Sequence, residues 1–98
     1  MRVRLEPGSL PRVREWAAEL NARRDEVLAT LRDEGVRVES VFIDGETLVY
    51  YLKADSIDRA REVYAGSQHP IDAYHQRFKD ETFAEKTQLE LLVDFENL

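Results

Sequence analysis

The chain has 98 residues, 43% of them hydrophobic, and a formal net charge of −6. That length argues for one domain over residues 1–98 with a modest core, so surplus apolar surface would ask for a partner. The absence of cysteine excludes disulfides, thiolate metal sites and cysteine nucleophiles, and the acidic balance weighs against nucleic-acid binding.

The first element, "MRVRLE", alternates: Val3 and Leu5 point one way, Arg2 and Arg4 the other, as in a short strand. The N-terminal charges leave no apolar signal core, and no run approaches the ~18 residues of a membrane helix. A cytoplasmic setting, with no membrane and no nucleic-acid partner, is the expectation. "PGS" breaks the strand, Ser9 is placed to cap a helix and Pro11 suits its first turn.

From Leu10 to about Glu34, apolar residues recur at three- and four-residue spacings (Val13, Trp16, Ala17, Leu20, Val27, Leu28, Leu31), the pattern of an amphipathic helix. The polar "NARRDE" interrupts that stripe and is a place for a kink. The basic pairs Arg12/Arg14 and Arg23/Arg24 are interleaved with acids and read as solvated helix surface. Gly35 stands where a helix C-cap glycine belongs.

"VRVESVFI" and "TLVYYL" are rich in β-branched and aromatic residues, and "DG" between them marks a hairpin. A two-residue loop over that pair sets Ile43 opposite Glu46; a four-residue loop sets it opposite Leu48. Either way Val36, Val38, Ser40, Phe42, Val49 and Tyr51 share one face. Val41, Ile43, Leu48, Tyr50 and Leu52 share the other, with Arg37 and Glu39 toward one end. Both faces are largely apolar, whereas a sheet with one wet face alternates more cleanly. One face can be covered by the chain's own helices. The other needs a second copy, so a homodimer formed through sheet faces is expected.

"ADSIDRAREVYAGS" reads as a helix capped by Asp55 or Ser56, with a stripe of Ile57, Ala60, Val63 and Tyr64, ended at Gly66. "HPIDAYHQRFKDETF" begins a further helix with Pro70 in its first turn. "TQLELLVDFENL" alternates Leu89, Leu91, Val93 and Phe95 against polar residues and reads as the last strand. The order strand, helix, hairpin, helix pair, strand is that of an α+β, ferredoxin-like fold: a four-stranded antiparallel sheet with helices on one face.

Three stretches, "LEPGSLPRVREW", "VLATLRDEGVRVESVFIDGETLVYYLKAD" and "AREVYAGSQHPIDAYHQRF", give the chain a resemblance to the dimeric α+β barrel superfamily. It looks most like a small uncharacterised family within it whose members share "S-x-HP-x-D-x-YH". More distantly it resembles antibiotic-biosynthesis monooxygenases, stress-responsive barrel proteins and rhamnose mutarotases. In the mutarotase comparison, Trp16 falls at a functional tyrosine and Leu20 at a functional histidine. Leucine cannot exchange protons, so that chemistry is not inherited. The monooxygenases work without metal or flavin, and the resemblance implies no cofactor here.

The candidate site residues follow from this frame. His69 precedes Pro70 at a helix start, where a structural cap would more naturally be Ser or Asp. His75 leans toward the buried side, between Ile71 and Phe78. Both are the candidate catalytic, proton-transferring groups. They stand six positions apart, so the i, i+4 spacing of two helical metal ligands is absent, and no metal is expected. Trp16, Tyr50 and Tyr74 are the candidate ligand-binding aromatics, each also readable as core. The adjacent carboxylate pairs (Asp25 and Glu26, Asp33 and Glu34, Asp80 and Glu81) diverge around a helix and read as solvated surface. The functional expectation is a helix–sheet pocket for a small organic molecule, with or without cofactor-independent turnover. The alternative is a non-enzymatic structural or interaction homodimer.

Overall fold

The computed structural model describes all 98 residues. The elements run β1 (Arg2–Leu5), α1 (Leu10–Ala22), α2 (Arg24–Glu34), β2 (Val36–Asp44), β3 (Thr47–Ala54), α3 (Ile57–Ala65), α4 (Pro70–Thr82) and β4 (Phe83–Thr87). The four strands form one antiparallel sheet in the order β2-β3-β1-β4. Each strand–helix–strand unit is thus split by a strand of the other, the ferredoxin-like arrangement.

Alternation decides which side faces the helices. Val3 and Leu5 of β1 and Leu48 of β3, opposite Val3, are buried with Val13 and Trp16 of α1 and Phe78 of α4. This is the core. Arg2 and Arg4 point to the other face, which no helix covers.

The 10–34 helix is two helices. At Arg23 the backbone leaves helical geometry (φ −109°, ψ 38°), where "NARRDE" interrupts the apolar stripe. The break lets α1 pack against α4 while α2 turns toward α3 and β2. On α2 the inward row is Val27, Thr30, Leu31 and Glu34, spaced i, i+3, i+4 and i+7; Thr30 and Glu34 are buried and Val27 and Leu31 half-buried. Gly35 ends α2 in the left-handed region (φ 71°), which glycine adopts without steric cost.

The hairpin turns through Gly45 and Glu46, with Asp44 opposite Thr47 and Ile43 opposite Leu48. That is the Ile43–Leu48 register with a tighter loop, because the loop begins one residue later than "DG". Gly45 takes a positive φ (59°) and Glu46 does not, the pattern of a type II′ turn.

Two readings are corrected. A register shift between Val36 and Val38 sets Val36 opposite Ala54, so Val36 is buried on the helix side while Val38 stays outside. A bulge adds a residue and flips what lies beyond it. The last strand is Phe83–Thr87, entered from α4 without a loop; residues 88–98 carry no regular structure. Their alternation is real, but no neighbouring strand pairs with them. No helix is long and apolar enough to cross a membrane.

Candidate functional site

Two helix N-termini bring residues to the site. Ser56 caps α3, its Oγ accepting from the Arg59 backbone N–H at 3.2 Å. His69 occupies the N-cap position of α4 but makes no side-chain cap bond. Ser67 does that local work, accepting from the His69 backbone N–H at 3.1 Å and donating to Asp72. The His69 ring is free to reach α2, where Nε2 lies 2.7 Å from Asp33 Oδ2. That hydrogen bond raises the His69 pKa.

His75 has the opposite environment. Trp16 Nε1–H donates to His75 Nδ1 at 3.0 Å, and the rings stack with centroids 5.5 Å apart. Indole nitrogen can only donate, so Nδ1 must be the unprotonated nitrogen and the neutral ring carries its proton on Nε2. Burial, reinforced by nearby Lys79, pushes the pKa down to about 3. Trp16 also stacks on Phe78, with centroids 4.3 Å apart and planes 5° from parallel. His75 Nε2 has no partner in the chain and, unlike the Tyr50 hydroxyl, is not sealed from solvent.

On the other side of His75 lies a polar cluster drawn from five elements. Tyr64 of α3 meets His75 edge to face at 6.3 Å, and Lys79 Nζ lies 4.4 Å from the Tyr64 ring centre. The Tyr64 hydroxyl donates to Gln76 Oε1 at 3.1 Å. Beneath, on the helix side of the sheet, sit Tyr50 of β3 and Glu39 of β2; Glu34 closes the C-terminal end of α2. Burial raises both phenols well above the usual range, helped for Tyr50 by the charge of Glu39 and for Tyr64 by those of Asp72, Glu34 and Glu39. Glu34 is pushed up to about 7 by burial and by the neighbouring carboxylates Asp72, Glu39 and Asp33. Lys79 is lowered by burial. Glu39 is raised by burial, with nearby Lys79 opposing and Asp72 adding to that rise.

The Tyr50 hydroxyl is the one buried side-chain polar atom with no hydrogen-bond partner. Such an orphan costs ~1–3 kcal/mol. A cleft of about 200 Å³ opens between α3 and α4 beside this cluster, lined by Tyr64, Ser67, Asp72 and Gln76. A larger depression, about 370 Å³, lies on the open face of the sheet over Arg2, Arg4, Thr47 and Glu85. It is lined by polar residues only and lies across the sheet from the helices, whereas the smaller cleft shares Tyr64 and Gln76 with the polar cluster. No group of three or more His, Asp or Glu side chains is placed to hold a metal ion.

One family of sequences, described as a family of unknown function (DUF6176), matches residues 1–98. The chain belongs to this family. No curated protein and no solved structure matches it.

The five residues singled out in the sequence divide within this family member. Trp16 and His75 are in direct contact, and Tyr50 lies in the same helix–sheet layer. Tyr74 is turned to the α1–α4 seam, where its hydroxyl accepts from Arg12 Nη1 at 3.1 Å and the guanidinium sits over its ring. His69 pairs with Asp33 and shares no partner with His75. Tyr64, Lys79, Glu34 and Glu39 were not singled out. Glu39 carried a faint signal, a carboxylate in the same alternating row as Val41 and Ile43. Glu34 carried a signal too: it stands three residues after Leu31 and seven after Val27, on the apolar stripe itself.

Proposed function

We propose that the chain binds a small organic molecule at the junction of α2, α3, α4 and the helix side of the sheet. The orphaned Tyr50 hydroxyl carries the reading. It has one hydrogen to donate and two lone pairs to fill, in a layer that also holds the free Nε2–H of His75 and the amine of Lys79. A ligand with an acceptor group would pair with these donors, while Tyr64 and Trp16 supply aromatic walls. The cleft is below the ~300 Å³ at which drug-sized sites begin, so the ligand is small or enters as α3 and α4 part.

In this reading His75 acts as a hydrogen-bond donor through Nε2. Its Nδ1 lone pair is committed to Trp16, so taking up a proton there would break that bond. His69, raised in pKa and open to solvent, is the imidazole able to exchange protons near neutrality.

Thermal-shift screening of the parent and Tyr50→Phe against a small-molecule panel tests the reading. Phe removes an unpaired hydroxyl, so the free variant should be as stable as the parent or about 1 kcal/mol more so. Compounds that stabilise the parent should lose at least tenfold in affinity. Equal ligand response in both proteins would remove Tyr50 from any site. A second reading, a non-enzymatic structural homodimer, is favoured by the packed stack of Trp16, His75 and Phe78 and by a cleft that neither histidine lines.

A further inference from the structure

The lysines of the chain have different surroundings. Lys53 pairs with Glu96 at 2.8 Å, and Lys86 stands exposed on β4. Lys79 is half-buried on α4 and has neither an ion pair nor a hydrogen bond. Its Nζ lies against an aromatic face instead, 4.4 Å from the centre of the Tyr64 ring. Unlike the Tyr50 hydroxyl, this amine is not sealed from solvent.

Helical spacing sets Lys79 on the cleft side of α4. Asp72 and Gln76 line the cleft, and Lys79 follows them at i+7 and i+3. Tyr64 touches both the cleft and the amine. Lys86 belongs to the helix side of the sheet, since it stands opposite buried Val3 in the ladder. Burial, aided by the Lys86 charge, holds the Lys79 amine below the usual ammonium range, against the pull of Glu39, Glu34 and Asp72. Desolvation and a neighbouring cation both free an amine lone pair for attack at neutral pH.

We propose that Lys79 forms an imine with a small uncharged aldehyde or ketone bound in the cleft. The assignment rests on the ligand site proposed at this junction and gives its substrate class. The Nζ lone pair attacks the carbonyl carbon and opens the C=O π bond. The resulting carbinolamine loses its hydroxyl and leaves a C=N bond. Both hydrogens of the neutral amine depart with the carbonyl oxygen as water, so no oxidant or reductant is consumed. The Tyr50 hydroxyl and the Nε2–H of His75 are the unpaired donors in this layer for the carbonyl oxygen. Glu34, titrating near 7, is suited to carry the protons. Charge selects the class: Glu39, Glu34 and Asp72 surround the amine, which disfavours a carbonyl compound with its own carboxylate. The cleft of about 200 Å³ limits the size.

Propanal with cyanoborohydride at pH 7, followed by peptide mapping of the full chain, tests the imine. Cyanoborohydride reduces an imine faster than an aldehyde and fixes the propyl group on the nitrogen that formed it. Propylation of Lys79 should be about tenfold faster than that of Lys53 or Lys86. With glyoxylate, an aldehyde bearing a carboxylate, that preference should fall about fivefold. Lys79→Met should keep the parent's circular dichroism and lose any thermal stabilisation by propanal; the map of the parent stands whether or not this variant folds. Equal propylation of all three lysines overturns the imine, whatever the Tyr50→Phe screen returns. Loss of the Tyr50 effect with Lys79 still fast overturns the Tyr50 site instead, so the two failures are told apart. An undiminished preference with glyoxylate overturns the uncharged class.

Discussion

The two halves of the helix–sheet layer are built on opposite terms. Over α1 and α4, the Trp16, His75 and Phe78 rings lie nearly parallel and the indole N–H is paired. Over α2 and α3, a carboxylate, two phenols and an amine are crowded together, and one hydroxyl has no partner. The first half is stabilised by apolar burial; the second gives some of that stability back. Regions that carry unpaid polar burial are where ligands are expected, because binding can satisfy what folding leaves open.

The contrast can be broken most sharply from the packed side. Phe78→Ala should cost ~3–5 kcal/mol in urea unfolding, since Phe78 is fully buried and stacked on Trp16. A loss below 1 kcal/mol would mean that the stack is not the stabilising half.

His75→Phe comes next, with a pH signature. In the parent, the unfolded histidine takes up a proton near pH 6.5 and the folded one only near 3. Between those values the unfolded chain binds more protons, so parent stability falls as pH falls, by up to a few kcal/mol. The variant lacks that loss but leaves the Trp16 N–H unpaired, costing ~1–3 kcal/mol at pH 8. The stability difference between the two should therefore shrink on acidification and reverse near pH 4–5, about midway through that window. Parallel curves would show that His75 is not held neutral.

Glu34→Gln sharpens the other half. The folded carboxyl titrates near 7 and the unfolded one near 4.5. Above pH 7 the charge is present in both states and folding bears the full cost; the cost is relieved as pH falls through 7 and is gone below 4.5. Gln should therefore stabilise by on the order of 1–2 kcal/mol at pH 8, after discounting for partial solvent access, and by nothing at pH 4. Denaturant melts at the two pH values check this. A destabilised variant at pH 8 would show that the Glu34 charge is favourably paired.

The smallest effect is local to α3. Ser56→Ala removes the one side-chain cap bond at that helix start and should cost ~1 kcal/mol. An unchanged melt would show that α3 is held by packing alone.

Much of this frame was legible in the sequence because its signals are local. Period-two alternation placed Val3, Leu5 and Leu48; three-and-four spacing placed Val13 and Trp16; Gly35, Gly45 and Pro70 marked where elements end or turn. The candidate site was legible in part. His75 was readable as inward-facing from the phase of its helix, whereas alternation set Tyr50 and Tyr51 on opposite faces without deciding which face meets the helices. Tyr64 read only as helix stripe and Glu34 as surface, and nothing local pointed to Lys79.

By itself, then, the chain's order of apolar, branched and breaking residues determined a ferredoxin-like α+β domain whose hairpin is apolar on both faces. Tertiary structure alone decided the rest. The break at Arg23 sent the two halves of one stripe to different neighbours, the bulge after Val36 moved that valine across the sheet, and α4 ran straight into β4, leaving residues 88–98 without a strand partner. The reason is the same each time. Periodicity fixes the phase of a residue within one element, but a kink, a bulge or a missing neighbour resets that phase through contacts distant in sequence.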